Sequence, residues 1–485
     1  MKSKIKTLNE LLTSKQISAL ELTNKYIENI NVLNPKLNAF ITRTNEIAIK
    51  TANKVDKKIA SGESISLLSG IPMCIKDNIS TKNIKTTCAS KILGDYSPIY
   101  DAFAVESLYD EDAVILGKAN LDEFGMGSTC ENSYYGATLN PFDIGKVAGG
   151  SSGGVASAVS SNMSVFGLGT DTGGSIRQPA SFCGCVGLKP TYGSVSRFGA
   201  IAYCSSFDQI GPITSSVYDA AIVLDAISKK DKRDSTSIGL DYLSTKTINN
   251  DIKGKKIGIP SAFFNGLTQN IDSKIKTALK EFEEMGATIV EINLDILESV
   301  LPVYYILACA EASSNLARYD GIRYGHRANV YSDIDELITK TRDEGFGSEV
   351  KKRIMLGNYV LSSGYYDAYY KKAQILRNKI INEFDKAFEN VDAIITPTVA
   401  STAFKSGDLT KSSVDMYLTD IYTVPINIAS LPAISIPCGY DDDNMPIGMQ
   451  IIGNRFCENT ILNLAYKYED KNSDKIYKEP SFWRE

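Results

Sequence analysis

The chain has 485 residues, of which 43% are hydrophobic and 22% charged, the balance of an ordinary globular protein. That length allows about three domains, although a single α/β domain can also run this long. A net charge of -5, with no Lys/Arg block and no aromatic–basic motif, argues against a dedicated nucleic-acid surface. The opening MKSKIKTLNELLTSKQISALEL has no apolar h-region, and no stretch reaches the roughly 18 apolar residues of a membrane span. The nine cysteines are scattered without a CxxC pair or a Cys/His cluster, so the expectation is reduced, buried thiols in a cytoplasmic protein with no metal site and no membrane contact.

In chain order, Ile47, Ala52, Val55 and Ile59 recur at helical steps and predict a helix ending near Ser61-Gly62. Ser69-Gly-Ile-Pro-Met-Cys-Ile reads as a short strand leading into Lys76-Asp77-Asn78, and Ala113 to Gly117 as a second one before Lys118. Gly153 to Asn162, rich in Ala, Ser and Val, predicts a tightly packed helix, and Val165 to Gly169 a strand returning from it. Residues 228–256 are polar and charged and read as a surface excursion or linker. A strand at Lys256-Ile-Gly-Ile-Pro follows, then a helix with Asp272 as a plausible N-cap, Ile275, Leu279 and Phe282 on one face, and Gly286 as a plausible C-cap. Ala287 to Ile292 is its second strand, and such a unit implies parallel pairing under a helix. Helices are expected at 348–363 and 365–388, and strands at 392–396, 433–437 and 447–452. The class is α/β, with a mostly parallel or mixed sheet between helices.

The most informative stretch runs from Gly149 to Pro190. Two Ser-bearing glycine turns, Gly149-Gly150-Ser151-Ser152-Gly153-Gly154 and Thr172-Gly173-Gly174-Ser175, bracket the predicted helix and strand. A ten-residue helix of about 15 Å and a returning strand of about 17 Å bring the two turns together. Glycines let the backbone approach a ligand closely, and successive N–H groups from Thr172 to Ser175 can converge on an oxyanion. A GGSSGG string alone is equally compatible with a flexible loop or a phosphate cradle. A phosphate loop, however, wants Lys-Ser/Thr after its last glycine, and here Val155-Ala156 follow. The sole histidine, His326, lies in a Gly/Arg/Tyr-rich loop, so a Ser-His-Asp centre would depend on one residue in an unpromising place.

GGSSGG, then GTDTGGSIRQPA and CGCVGLKPTYG, with Ile75-Lys76-Asp77-Asn78 upstream, resembles the signature of the amidase signature family of Ser-Ser-Lys amidohydrolases. The resemblance implies an amidase signature fold, a central mixed β-sheet covered by helices on both faces. It also implies that Ser175 is the acyl-forming nucleophile, that Ser151, reached through a cis peptide bond, is the bridging serine, and that Lys76 is the base. Thr172, Gly173 and Gly174 would supply oxyanion donors, with Ser152 behind the reacting groups. The chemistry agrees: a serine hydroxyl needs a neighbour to remove its proton, and a lysine serves only when neutral, which burial after an apolar strand favours. Asp171 and Arg177 read as residues that order the loop.

Leu121-Asp-Glu-Phe-Gly-Met-Gly-Ser, Glu311-Ala-Ser-Ser-Asn-Leu-Ala-Arg-Tyr-Asp-Gly, Ser363-Gly-Tyr-Tyr-Asp-Ala-Tyr-Tyr, Asp420-Ile-Tyr-Thr-Val-Pro-Ile-Asn and Pro446-Ile-Gly-Met-Gln-Ile-Ile-Gly narrow the likeness. They resemble the A subunits of the tRNA-dependent amidotransferases that make Gln-tRNA(Gln). That likeness covers nearly all 485 residues and implies a single domain over 1–485, with an N-terminal helical segment about 1–65, a signature core about 66–225 and a C-terminal substrate-binding part about 255–485. It implies glutamine hydrolysis by this chain, with ammonia passed to a B subunit that converts Glu-tRNA(Gln) using ATP and Mg, and a C subunit completing a heterotrimer. This chain itself would carry no cofactor. Free glutamine presents an α-carboxylate and an α-ammonium, which an Arg and an Asp satisfy by charge-assisted bonds. Arg353 matches the family's carboxylate-binding Arg and Asp420 its ammonium-binding Asp. Tyr304 lies beside them, with Tyr305 able to take its place, and Met126, Gly127 and Ser128 would line the amide end. Cys74, Cys185, Ser194 and Cys204 depart from the family's usual residues, none at a catalytic position. The competing readings are a stand-alone amidase of small or aryl amides and a non-catalytic scaffold that keeps the fold.

Overall fold

The computed structural model describes residues 3–408 and 419–480. Strands β1 (Phe40–Arg43), β2 (Pro72–Lys76) and β3 (Val114–Ala119) come first, then a small ribbon of β4 (Leu139–Asn140) and β5 (Asp143–Val147). The chain continues through β6 (Phe166–Asp171), β7 (Val186–Lys189), β8 (Gln209–Thr214), β9 (Lys256–Pro260), β10 (Thr288–Ile292), β11 (Ala393–Pro397), β12 (Ala433–Tyr440) and β13 (Pro446–Gly453). Apart from the ribbon these form one eleven-stranded sheet in the order β1-β3-β2-β6-β8-β7-β12-β13-β11-β9-β10. The sheet is mixed: β2 runs parallel to β3 and β6, and β9 to β10 and β11, while the central pairings from β6 through β8, β7, β12 and β13 to β11 are antiparallel.

Both faces of this sheet are covered. Successive residues of a strand point to opposite faces. Ile394 and Ile452 pack in one buried cluster with Tyr304, Leu307 and Ile380, whereas their neighbours Ile395 and Ile451 pack in another with Val155, Leu224 and Leu462. The central strands are accordingly buried on both sides: every residue of β2, β6, β8, β12 and β13 is buried, the polar ones among them included. Among the described residues no helix is long and apolar enough to cross a membrane.

Several local expectations are corrected. Helix Asn45–Ser61 ends at Gly62 in a left-handed turn, but its buried face is Ala48, Ala52 and Val55, and Ile47 is exposed. Helix Gln269–Glu284 is capped by Thr268, not Asp272, which sits in its first turn and pairs with Lys276. The second long helix near the C-terminal part begins at Tyr370 rather than 365. Residues 228–256 are not a loose linker. Ser237, Ser244, Ile248 and Ile252 are buried, Asp225 accepts the N–H groups of Ser244 and Thr245, and Asn463 donates to the carbonyls of Ile248 and Asn250. Polar composition suggested solvent, but these side chains satisfy the segment's backbone from the helices beneath it.

Candidate active site

β2 and β6 are parallel neighbours, with Met73 opposite Phe166 and Ile75 opposite Leu168, so their C-terminal ends lie side by side. Lys76 is the last residue of β2, and β6 ends at Asp171, directly before the Thr172–Ser175 turn. Helix Gly153–Ser160 connects the two serine turns. It sits close on the sheet because its own residues and those below it are small: a Cβ at Gly167 would lie 2.5 Å from Val155 Cγ1, and one at Gly154 would collide with the Asn120 backbone. Small residues thus aim the first turn of the helix at Lys76. The Gly150–Ser151 peptide is cis, Gly149 adopts φ +80°, and the Gly150 N–H donates to Gln178 Oε1 at 2.8 Å.

Lys76 is fully buried, and its Nζ has three oxygen neighbours: Ser151 Oγ at 2.7 Å, Ser152 Oγ at 2.9 Å and the Thr170 carbonyl at 3.3 Å. Burial pulls its ammonium down to about 7, with the charge of Asp122 the largest opposing influence. Ser152 Oγ also donates to the Thr170 carbonyl at 3.1 Å, and its N–H donates to the Ser175 carbonyl at 3.1 Å, which ties the two serine turns together. Ser175 is 8% exposed, and its hydroxyl makes no hydrogen bond among the described residues.

The turn around Ser175 is fixed from below. Asp171 accepts the N–H groups of Gly174 at 2.8 Å and Ile176 at 3.1 Å and a two-point contact from Arg177, all fully buried. Burial would raise this carboxyl, but the adjacent Arg177 guanidinium holds it well below the usual carboxylate range. Asp171 and Arg177 therefore order the loop. The Gly174 N–H is engaged there, whereas those of Thr172, Gly173 and Ser175 have no partner among the described residues. Thr172 Oγ1 donates to Asp208 and Thr423 Oγ1 to the Gly173 carbonyl, each at 2.7 Å.

Opposite this turn lie the charged candidates. Arg353, on helix Ser348–Leu361, is 3% exposed, donates to Glu349 Oε1 at 2.9 Å and to the Tyr203 hydroxyl at 2.7 Å, and lies 5.2 Å from the Tyr305 ring centre. Asp420 is also buried; it accepts the Ser128 hydroxyl at 2.7 Å and the Tyr305 hydroxyl at 3.3 Å. Burial pushes its carboxyl up to about 7, against Ser128 and the charge of Arg353. Tyr304 and Tyr305 divide the neighbourhood: Tyr305 meets Asp420, while Tyr304 stacks on Phe207 and packs over Gly173, where a Cβ would lie 2.7 Å from its hydroxyl. Met126 is buried in the core, Gly127 lies against Asp122 and Asn132, and a Cβ at Gly125 would lie 3.5 Å from Ser151 Oγ.

Asp122 and Gln178 lie inside the quoted motifs without having been given a role, and Tyr203 lies outside them; all three belong to this neighbourhood. Tyr203 could not have been found by charge or spacing, because it reaches Arg353 only through the tertiary fold. His326 lies away from the serines, paired with Glu344 at 2.8 Å, and the thiols of Cys183 and Cys185 face backbone carbonyls. Among the described residues no group of three or more His, Cys, Asp or Glu is placed to hold a metal ion.

A buried lysine hydrogen-bonded to paired serines below a glycine-rich serine turn, on a mixed sheet covered by helices, defines a class. The chain belongs to the amidase family, whose pattern matches residues 21–462. Within that family it falls among the amidotransferase A subunits: it is 54% identical over 470 residues to the A subunit of the glutamyl-tRNA(Gln) amidotransferase of Thermoanaerobacter pseudethanolicus, covering 96% of each chain. The crystal structure of the corresponding glutamyl-tRNA(Gln) amidotransferase chain from Thermotoga maritima matches with a TM-score of 0.79 at 39% identity, covering 95% of this chain and 94% of that one. The native peptide amidase of Stenotrophomonas maltophilia matches with a TM-score of 0.84 at 28% identity, covering 99% of both. Backbone similarity does not separate the two kinds of amidase; sequence identity does.

Proposed function

We propose that this chain is the glutaminase subunit of a tRNA-dependent amidotransferase, working through Lys76, Ser151 and Ser175. The observation that carries the reading is the hydrogen bonding around Lys76. The Thr170 carbonyl can only accept, and the Ser152 proton is already given to that carbonyl. Both oxygens therefore take N–H bonds from Lys76, and a neutral amine has its lone pair left for the Ser151 hydroxyl, 2.7 Å away. Ser151 is thus the hydroxyl able to deliver a proton to the base, and Ser152 is a brace.

The reaction follows. Ser175 Oγ attacks the side-chain amide carbon of glutamine while its proton passes to Ser151, whose own proton passes to Lys76. The oxyanion is met by N–H groups of the Thr172-Gly173-Gly174-Ser175 turn; since Asp171 holds that of Gly174, the donors are those of Thr172, Gly173 and Ser175. The proton returns to the amide nitrogen, the C–N bond breaks and ammonia leaves, with a glutamyl ester on Ser175. Water, deprotonated by the same relay, hydrolyses that ester to glutamate. Arg353 takes the α-carboxylate and Asp420 the α-ammonium, with Tyr304 beside them and Met126 and Gly127 at the amide end; Ser128, expected at the amide end, instead braces Asp420 through its hydroxyl. The whole chain acts as one catalytic domain. Ammonia passes to a B subunit that activates Glu-tRNA(Gln) with ATP and Mg, a C subunit holds the pair, and the assembly works in the cytoplasm.

The stand-alone amidase reading shares the fold but gives the buried Arg353 and Asp420 no substrate charges to meet. The test is to copurify the chain with its partners and measure glutamine-dependent amidation of Glu-tRNA and Asp-tRNA, with aryl amides assayed in parallel on the chain alone. Amidation of Glu-tRNA supports the proposal. Efficient aryl-amide turnover with none on glutamine would overturn it.

A further inference from the structure

The Asp122–Ser128 turn touches three parts of the site at once. Gly125 abuts Ser151, and Ser128 donates to Asp420. Just before them in the turn, Glu123 reaches the other way, to the segment that precedes the Arg353 helix. Its side chain is 4% exposed. One carboxylate oxygen accepts the Ser90 hydroxyl, and the other accepts the Gly347 N–H at 2.8 Å. Gly347 is the N-cap of helix Ser348–Leu361 and brings no side-chain cap of its own, so Glu123 supplies the missing acceptor from a distant part of the chain. Glycine at 347 is what lets it approach, since a Cβ there would collide with Glu123 Oε2. Ser90 Oγ also lies 3.2 Å from the Gly345 carbonyl, and the Phe124 and Phe346 rings meet edge-on at 5.8 Å. The 345–347 segment is thus clamped to the turn on two sides.

We infer that Glu123 is a positioning residue for the substrate. It fixes the N-terminal end of the Arg353 helix against the turn that abuts Ser151 and carries Ser128, and so sets where the guanidinium stands relative to Ser175 and Asp420. Arg353 follows the cap within about two helical turns, so movement of the cap is passed to it almost undiminished. Glu123 makes no contact with Lys76, Ser151 or Ser175, so the chemical step on a correctly bound substrate does not depend on it. The inference rests on the glutaminase reading above.

The test uses the full chain copurified with its partners. KM and kcat for glutamine are measured, with thermal unfolding, for the native chain and for Glu123→Ala, Glu123→Gln and Gly347→Ala. The expected result is a KM raised about tenfold in Glu123→Ala with kcat within about threefold of the native value, a loss of binding rather than of chemistry. Glu123→Gln, whose amide still accepts the Gly347 N–H, should return KM to within about threefold of native. Gly347→Ala, whose methyl would collide with Glu123 Oε2 and so displaces the carboxylate from the Gly347 N–H, should raise KM as Glu123→Ala does, and it carries the test if Glu123→Ala fails to fold. An unchanged KM in Glu123→Ala and Gly347→Ala, or Gln behaving no better than Ala, would overturn the inference. A native complex that hydrolyses no glutamine would instead remove the reading beneath it.

Discussion

At the scale of single residues, the chemistry proposed for Lys76 depends on which oxygen can give it a proton. Ser151 and Ser152 are neighbours in sequence and both lie within 2.9 Å of Nζ. They differ only in where their own protons go. Ser151→Ala should therefore lower kcat for glutamine by about 100- to 10,000-fold, the range of a lost proton relay, while Ser152→Ala costs far less. Equal losses in steady-state assays would contradict the assignment. The pH dependence follows from burial. Lys76 is pulled down to about 7 and must be neutral to act, and Asp420 is pushed up to about 7 and must be charged to hold an ammonium. Both conditions fail as pH falls, so kcat/KM should drop on the acid side of about 7, and a profile flat down to pH 5 would exclude both groups. The same lysine costs stability. Its folded pKa lies below the unfolded value of 10.5, so the folded state binds fewer protons and is increasingly penalised as pH falls from 10.5 toward 7. Lys76→Met should consequently be inactive yet melt about 1–3 °C higher at neutral pH, readable by calorimetry.

At the scale of elements, the site is made by a helix that packs unusually close to its sheet. Helix Gly153–Ser160 is legible in the sequence because Gly, Ala, Ser and Val alone fill it, and β2 and β6 because each opens on an apolar run, Pro72 to Ile75 and Phe166 to Gly169. Gly154→Ala places a methyl against the Asn120 backbone and should cost about 1–3 kcal/mol of stability, with a parallel fall in activity as the serine turn is displaced; unchanged melting would contradict this packing. Ends and faces are less legible. The apolar period around Ile47 fits more than one helix face, and only the tertiary contacts choose Ala48 over Ile47. Asp272 has the chemistry of a cap, but Thr268 holds the position and Asp272 serves the first turn electrostatically. The Tyr203–Arg353 bond joins residues far apart in the chain, and no local pattern announces such a pair.

At the scale of the whole molecule, one sheet runs from the signature segment to the C-terminal strands, so the serine turns and the Arg353–Asp420 neighbourhood are held on a common frame. Sequence pattern announces a sheet between helices but not its order, because β7 and β12 find each other only after long connections. The linker reading of 228–256 fails too, because that surface segment is tied down through its backbone: Ser237 accepts the Asp231 N–H and Asp225 that of Ser244. A net charge of -5 without a Lys/Arg block gives the chain no basic surface for a phosphate backbone, so the isolated chain should show no salt-sensitive tRNA retention in filter binding; tight retention would contradict this. The central claim, a glutamyl ester on Ser175, is tested most directly by trapping. With glutamine and hydroxylamine, the native complex should release γ-glutamyl hydroxamate, Ser152→Ala should still release it, and Ser175→Ala should release none. Hydroxamate formation or glutamine turnover that persists in Ser175→Ala would contradict the mechanism.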